Sequence, residues 1–436
     1  MTGSTVHVSG AAATHERSYL APLVALTSLF FMWGLITSLN DILIPHLKAA
    51  FTLNYTEATL IQLAFFGAYF VMSMPSGWLV ERIGYKRGII VGLLVAAVGC
   101  VAFYPAAAKA AYPLFLGALF VLASGITLLQ VAANPYVTIL GPQRTASSRL
   151  TLTQAFNSLG TTIGPYVGAT LILAAPGADA ARGAIATPAG EAALVQTPYL
   201  ALAAVLFVIA MLFAVLRLPA VGASETASAS NDSARETPVW SNRHLVLGVV
   251  AIFVYVGGEV AIGSLLVNFM MDPTVGGLPQ QAAGQHLSYY WGGAMVGRLI
   301  GSVLLFVVKE RAPWLLAGFA AVATCLCLAV SQLEGATSAY LALSIGLFNS
   351  IMFPVIFTAT LERSTAAPAA TSGLLCLAIV GGAILPYVFG LIADAAGLHA
   401  AYFLPAVAYA LIVVFAVASF SAKTYEHGTV AATAGH

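Results

Sequence analysis

The chain has 436 residues, of which 60% are hydrophobic and 8% charged, and its formal net charge is +1. Soluble domains carry about 25% charged residues, so a soluble fold could not hide this much apolar surface. The near-neutral charge offers no basic surface to nucleic acid and no acidic surface to a basic partner. The four cysteines lie in apolar runs, which argues against a disulfide framework and against a metal site. We therefore expect an integral membrane protein that binds neither metal nor nucleic acid.

Twelve apolar runs are long enough to cross a bilayer, which takes about 20 residues. They predict helices at 19–47, 57–80, 87–108, 112–138, 150–174, 197–218, 244–270, 285–308, 313–331, 336–360, 369–392 and 399–421. Residues 219–243 are small, polar and charged, as is typical of a flexible linker. The sequence thus predicts an all-α membrane protein with two six-helix bundles, at 19–218 and 244–421, joined by the linker at 219–243. A tail precedes the first bundle (1–18) and another follows the second (422–436).

Short matches recur at equivalent positions of the two halves. The fifth spans contain GPYVG at 164–168 and LPYVFG at 385–390, and the fourth spans contain Gln130 with Pro135 and Asn349 with Pro354. Duplicated halves related by an axis along the membrane normal place a substrate between them. This is the arrangement that we expect.

The basic residues indicate the orientation. With both termini in the cytoplasm, thirteen of the 17 Lys and Arg residues lie inside and only Lys48, Lys109 and Arg182 lie outside, while Arg298 is within a span. Cytoplasmic loops carry the excess of Lys and Arg in membrane proteins. We therefore predict that both termini are cytoplasmic.

Residues 77–88, GWLVERIGYKRG, join the second and third spans and look like the loop signature of the major facilitator superfamily. Glycines there allow close helix approach and a tight turn, and the charged side chains can form ion pairs that hold one conformation. A degenerate copy runs from Gly301 to Arg311. An ordinary basic loop is the alternative interpretation. The predicted conformational gate consists of Gly77, Glu81, Arg82, Gly84, Lys86 and Arg87.

Asp41 is the acidic residue of the first span, where Trp33, Thr37 and Asn40 lie on or near the same helical face. A charge in hydrocarbon is expensive, so such a residue is a functional candidate by default. A carboxylate facing a water-filled cavity can take up and release a proton or contribute to a sodium site. Alternatively, Asp41 caps a helix break near Pro45.

Two pairs of carboxamides share helical faces: Gln130 with Asn134 in the fourth span and Gln154 with Asn157 in the fifth. Carboxamides both donate and accept hydrogen bonds, which suits vicinal sugar hydroxyls. They can instead hold helices together. We favour sugar binding for both pairs.

The seventh span contributes a second intramembrane acid, Glu259, with Tyr255 one turn before it. Burying a carboxylate in the membrane costs free energy, which favours a role for Glu259 in binding or ion coupling over a structural pair with Arg298. Asn268 and Asn349 are weaker candidates in the second half. Aromatic residues, among them Tyr69 and Tyr290, can stack on a sugar ring, although most aromatics simply pack.

The stretches 30–70, 128–142 and 149–160 resemble the fucose:proton symporter family of the major facilitator superfamily. The likeness implies that Asp41 matches that family's proton-coupling acid, and that Trp33, Ser38, Gln154 and Asn157 match positions lining its sugar cavity.

The chain departs from fucose carriers at Gln130, where they have a second essential glutamate. With the run YVGGEVAIGSLLVNF at 255–269, this residue is similar to the glucose/galactose branch of the family. That branch implies proton- or sodium-coupled transport, and it has relatives that take up N-acetylglucosamine.

The predicted function is cation-coupled uptake (proton or sodium) of a monosaccharide such as glucose or galactose by alternating access, without enzymatic activity or a cofactor. Alternatives are fucose or N-acetylglucosamine symport, or export of drugs or metabolites. We expect a monomer in the lipid bilayer of a bacterial inner membrane. The predicted ion-coupling residues are Asp41 and Glu259, and the predicted sugar-binding residues are Trp33, Ser38, Asn40, Gln62, Gln130, Asn134, Gln154, Asn157, Tyr255, Glu259, Asn268 and Asn349.

Overall fold

A computed structural model describes residues 20–50, 55–168, 196–216, 218 and 242–425. Within these ranges the side chains of 20–21, 38–50, 55–59, 62, 165–168 and 280–281 are not described. The predicted tail 1–18, nearly all of the predicted linker and the side chains of Ser38, Asn40, Asp41 and Gln62 therefore lie outside the described residues.

The regular elements of the described ranges are helices. The first group comprises α1 (Leu20–Ala50), α2 (Tyr55–Ile83), α3 (Tyr85–Ala108), α4 (Tyr112–Ile139), α5 (Ala146–Gly168) and α6 (Gln196–Val215). The second group comprises α7 (Arg243–Met271), α8 (Gln280–Val308), α9 (Ala312–Gln332), α10 (Gly335–Asn349), α11 (Met352–Arg363), α12 (Pro368–Leu377), α13 (Gly381–Ala396), α14 (Leu398–Ala401) and α15 (Phe403–Phe420). The all-helical prediction is confirmed.

Three predicted spans contain a local interruption of the helix, although each is still long and apolar enough to cross a membrane as one span. Span 336–360 is divided into α10 and α11, span 369–392 is divided by a 3-10 turn at Ala378–Val380, and span 399–421 is divided at Tyr402. The first break has a local cause. Pro354 has no N–H, and its ring disfavours the helical bond to the carbonyl four residues earlier, at Ser350. The helix therefore breaks at residues 350–351.

Nine helices among the described residues are long and apolar enough to cross a membrane. One of them, Ala282–Gln332, has 51 residues, about 76 Å of helix, which is far more than a hydrocarbon core of about 30 Å. The turn at Lys309–Arg311 divides it into α8 and α9. These helices show apolar side chains on their outer surfaces, for example Val208, Val303 and Phe306. The chain is thus a multi-pass membrane protein, while the count of twelve spans stays a prediction.

The two groups of helices meet along two seams, α2 against α12 and α5 against α8. In both seams the first helix comes from one group and the second from the other. The turns at 143–145 and 309–311 also touch each other. We call the end of the bundle that carries these turns and residues 364–367 the turn end; the predicted orientation makes it cytoplasmic.

Candidate functional site

The α2–α12 seam is built on glycine. A Cβ at Gly77 would lie 3.1 Å from the Ala369 carbonyl oxygen, and one at Gly373 would lie 2.9 Å from the Ser73 carbonyl oxygen. Only glycine leaves room for backbones this close. One turn further along α2, the Glu81 carboxylate accepts a hydrogen bond from the backbone N–H of Ala370 in the first turn of α12, where the helix dipole favours negative charge.

The remaining residues of the predicted gate act within the first group of helices. Gly84 has φ 82°, which allows the tight turn between α2 and α3. The Lys86 ammonium donates to the Ala214 carbonyl at the end of α6 (2.9 Å), and the Arg82 guanidinium lies over the Trp78 ring at 3.8 Å from its centroid. Arg87 is exposed. Gly77 and Glu81 are therefore the members of the motif that the structure places against the second group.

The α5–α8 seam closes the turn end through hydroxyl groups. The Ser148 hydroxyl donates to the Ser302 carbonyl of α8 at 2.7 Å, and the hydroxyls of Ser147 in α5 and Thr358 in α11 are 2.6 Å apart. Gly301, the glycine of the degenerate motif copy, packs against Ile351, whose Cγ2 a Cβ would strike. That Cβ would also lie 3.9 Å from Thr151 Cγ2 of α5, and the next residue, Ser302, accepts from Ser148, so both copies of the motif lie at contacts between the two groups.

The predicted amides of α4 are buried. The Gln130 side-chain amide donates to the Tyr69 hydroxyl of α2. Asn134 has no exposed surface, and neither its Nδ2 nor its Oδ1 has a hydrogen-bond partner. A buried unpaired amide costs about 1–3 kcal/mol for each lost bond, so Asn134 is poised to bond a ligand or water.

The amides of α5 lie on a helix that packs against α1. The Asn157 amide donates to the Phe30 carbonyl at 2.9 Å, and Gln154 is buried beside it on the same helix. The two backbones approach so closely that a Cβ at Gly34 would lie 2.0 Å from the Asn157 carbonyl oxygen. Asn157 therefore holds the helices together as well as being a candidate for sugar binding, and Trp33 is buried next to Gly34.

Glu259 lies in the interior of the second group and forms an ion pair with Arg298 of α8. Glu259 Oε1 and Arg298 Nη2 are 3.5 Å apart, and the two side chains keep only 11% and 13% of their exposure. Tyr255 is within electrostatic reach of both, and its hydroxyl has no hydrogen-bond partner. The structural pair that the sequence left as an alternative is present.

Asn349 is the last residue of α10, next to the break. Its Nδ2 donates to the hydroxyls of Tyr290 (2.9 Å) and Tyr409 (3.4 Å), while its Oδ1 has no partner. The Tyr290 hydroxyl also donates to the Glu259 carbonyl at 3.2 Å. Asn268, by contrast, is exposed near the end of α7, nine residues beyond Glu259, and the structure does not bring it to this cluster.

Sequence reasoning missed several members of these networks. Tyr69 and Tyr290 drew attention as possible stacking surfaces, but their hydroxyls are what contact the amides. Nothing in the sequence pointed to Tyr409 and Ser158. Contacts between helices that are distant in the sequence depend on how each helix is rotated about its axis.

The buried interior holds a balanced pair of charges and several polar atoms without hydrogen-bond partners. Glu259 and Arg298 offset each other. Buried polar atoms without a hydrogen-bond partner come from both groups of helices: the Asn134 amide, the Tyr255 hydroxyl and Asn349 Oδ1. Such groups can bind an uncharged, hydroxyl-rich molecule by donating and accepting hydrogen bonds.

Comparisons with known proteins agree with this architecture. The family model described as Major Facilitator Superfamily matches residues 25–375. The "Glucose/galactose transporter" of Brucella abortus (strain 9-941) is 55% identical over 397 residues, 91% of this chain and 93% of the relative. The "L-fucose-proton symporter" of Escherichia coli K12 is 35% identical over 420 residues, 93% of this chain and 94% of the relative. A crystal structure of the transporter FucP in the outward conformation aligns with a TM-score of 0.80 and 34% identity, over 92% of this chain and 99% of that one. This chain belongs to the major facilitator superfamily, in the group that contains these sugar transporters.

Proposed function

We propose that this protein is a secondary carrier that takes up a neutral monosaccharide, glucose or galactose, together with a proton by alternating access. The relative at 55% identity is named a glucose/galactose transporter and the one at 35% an L-fucose-proton symporter. Fucose and N-acetylglucosamine remain the alternative sugars of the same proposal.

The observation that carries the proposal is the set of buried polar atoms without partners in both groups of helices. Alternating access moves two halves around one site, so a ligand that draws them together must contact both. The first half offers the Asn134 amide, and the second half offers the Tyr255 hydroxyl and Asn349 Oδ1. An exporter of apolar compounds would not need buried amides at these positions.

Proton coupling requires a carboxyl group that changes its protonation as the site changes sides. Glu259 is one candidate, because it is a buried carboxylate whose Oε1 is paired with the Arg298 guanidinium at 3.5 Å. Asp41 is the other; it belongs to α1, two helical turns beyond Gly34, and the resemblance assigns it the coupling role. We retain Asp41 and Glu259 together as the coupling pair.

The proposal also covers the domain organisation of the protein and its orientation in the membrane. We propose two six-helix bundles, 19–218 and 244–421, joined by a cytoplasmic linker at 219–243. Both termini are cytoplasmic, the membrane is a bacterial inner membrane, and the carrier works as a monomer. The excess of Lys and Arg in the segments at the turn end supports this orientation.

The test is transport by the purified protein in liposomes. Labelled glucose, galactose, fucose and N-acetylglucosamine are offered separately under an inward proton gradient, an inward sodium gradient, or none. We expect glucose or galactose to accumulate only under the proton gradient and to leave again when a protonophore is added. Accumulation under sodium alone would refute proton coupling, and failure of all four sugars to accumulate would refute the proposed function.

A further inference from the structure

Arg298 joins more elements than an ordinary ion-pair partner. Its Nη2 faces Glu259 of α7, its Nη1 donates to the Ser158 hydroxyl of α5, and its Nε donates to the Ser350 carbonyl at 3.3 Å. Ser158 belongs to the first group of helices and the other two partners to the second. One guanidinium thus connects Glu259 to the seam between the two groups.

The Ser350 carbonyl is available because of the helix break. Pro354 lacks the N–H that would bond to this oxygen in a continuous helix, and residues 350–351 are not helical. Arginine is the side chain suited to this place, since its planar fork carries five donors with fixed directions. A lysine ammonium, as a compact charge, cannot reach all three acceptors in the same directions.

The contact with Ser158 lies deep in the α5–α8 seam. Ser158 is twelve residues from the start of α5 at Ala146, and Arg298 is ten residues from the end of α8 at Val308. These separations correspond to about 18 and 15 Å along the helices. The contact therefore sits well inside the bundle, above the hydroxyl contacts that close the turn end.

We propose that Arg298 is a positioning residue that makes the closure of the α5–α8 seam depend on the charge of Glu259. This rests on the proposed function, in which Glu259 changes its protonation. When Glu259 is ionised, it holds the guanidinium in the direction that reaches Ser158. When Glu259 is neutral, that attraction is lost, the guanidinium is no longer fixed toward α5, and the seam opens more readily. The titratable groups that face this site are Tyr255, Tyr290 and Tyr409, in addition to Arg298 itself.

The experiment measures closure of the turn end directly. Ser147→Cys and Thr358→Cys are introduced together, because their hydroxyls are 2.6 Å apart between α5 of the first group and α11 of the second. The four native cysteines are first replaced, and the rate of disulfide formation with an added oxidant is measured in membranes without sugar. This rate reports how much of the time the turn end is closed.

Ser158→Ala removes the first-half acceptor, together with the bond from that hydroxyl to the Gln154 carbonyl, and Arg298→Lys keeps the charge without the planar guanidinium. We expect each to slow cross-linking about tenfold, the size of one hydrogen bond to a charged group, and Glu259→Gln to have the same effect. Thr161→Ala is the matched control, because its hydroxyl lies on the same helix and bonds the Ser158 backbone carbonyl rather than Arg298. It should leave the rate unchanged.

A purely structural role for Arg298 predicts a different pattern. In that case Ser158→Ala and Arg298→Lys would lower the melting temperature but cross-link at the parent rate, and the inference would be overturned. Parent-like cross-linking of Glu259→Gln would also overturn it, because the charge of Glu259 would then not control the seam. Since cross-linking needs no sugar, failure of every sugar in the liposome assay would refute the proposed function and leave this readout valid.

Discussion

Substitution of Gly34 by alanine tests the contact on which the first-half site depends. The added Cβ would lie 2.0 Å from the Asn157 carbonyl oxygen and 2.8 Å from its carbonyl carbon. Both are backbone atoms, so no side-chain rotation can relieve the overlap. To restore a separation of about 3 Å, α1 and α5 must move apart by about 1 Å.

The energetic cost follows from two terms. Overpacking of a tight contact costs about 1–3 kcal/mol. The same movement lengthens the Asn157–Phe30 hydrogen bond from 2.9 Å to about 3.9 Å, beyond bonding distance, which adds about 0.6 kcal/mol for a bond within a membrane. We expect a loss of about 2–4 kcal/mol in total. The melting temperature should fall by several degrees, and sugar should bind more weakly because Gln154 moves with Asn157.

The assay is thermal unfolding of the purified protein in detergent, together with calorimetric titration of sugar. Gly67→Ala in α2 is the matched control, because nothing lies within 4 Å of a Cβ there, and alanine is the better helix former. It should be neutral or slightly stabilising. If Gly34→Ala melts and binds sugar as Gly67→Ala does, α1 and α5 are not packed as described.

Three further predictions concern the candidate site. Asp41→Asn should still exchange sugar across the membrane but no longer accumulate it, because an amide keeps hydrogen bonding without cycling a charge; accumulation at the wild-type level would remove Asp41 from the coupling mechanism. Gln154→Ala should weaken calorimetric sugar binding by about 1–3 kcal/mol at unchanged melting temperature, whereas Asn157→Ala should lower both, since Asn157 also bonds the Phe30 carbonyl; unchanged affinity in both would move the sugar site elsewhere. Glu259→Gln should reduce sugar affinity or uptake at saturating sugar while eluting normally on gel filtration, and normal transport would leave Glu259 as a structural partner only.

Sequence patterns predicted the helices well because crossing a bilayer imposes long apolar runs. The predicted spans 87–108 and 112–138 differ from α3 and α4 by at most two residues at either end. The interruptions escaped prediction because an apolar run looks the same whether its helix is continuous or broken. Pro354 was visible, yet many transmembrane helices tolerate proline when neighbouring groups bond the freed carbonyl. Here the neighbour is Arg298, from a span more than fifty residues earlier.

Candidate polar residues could also be found from the sequence, since a polar side chain in an apolar run is conspicuous. The residues to which they bond could not be found in this way. Gln130 was predicted to bind sugar, but its bond to Tyr69 joins spans 61 residues apart. The bond between Arg298 and Ser158 joins spans 140 residues apart. Such pairs depend on the rotation of each helix about its axis, which the period of a nearly uniform apolar helix leaves undetermined.

The two seams suggest why a small ligand can change the state of such a bundle. At the turn end they are closed by glycine packing and by neutral hydroxyl contacts such as Ser148–Ser302, each worth about 0.6 kcal/mol in a membrane. A few such contacts sum to a few kcal/mol, which is within the range that the differential binding of one ligand can overcome. Neutral contacts do not respond to a proton, however, and Glu81 lies in the last turn of α2. To link proton binding with reorientation, a charged residue must lie deeper in the bundle than the turn end and must connect to both groups of helices. Glu259 meets that condition through Arg298 and Ser158.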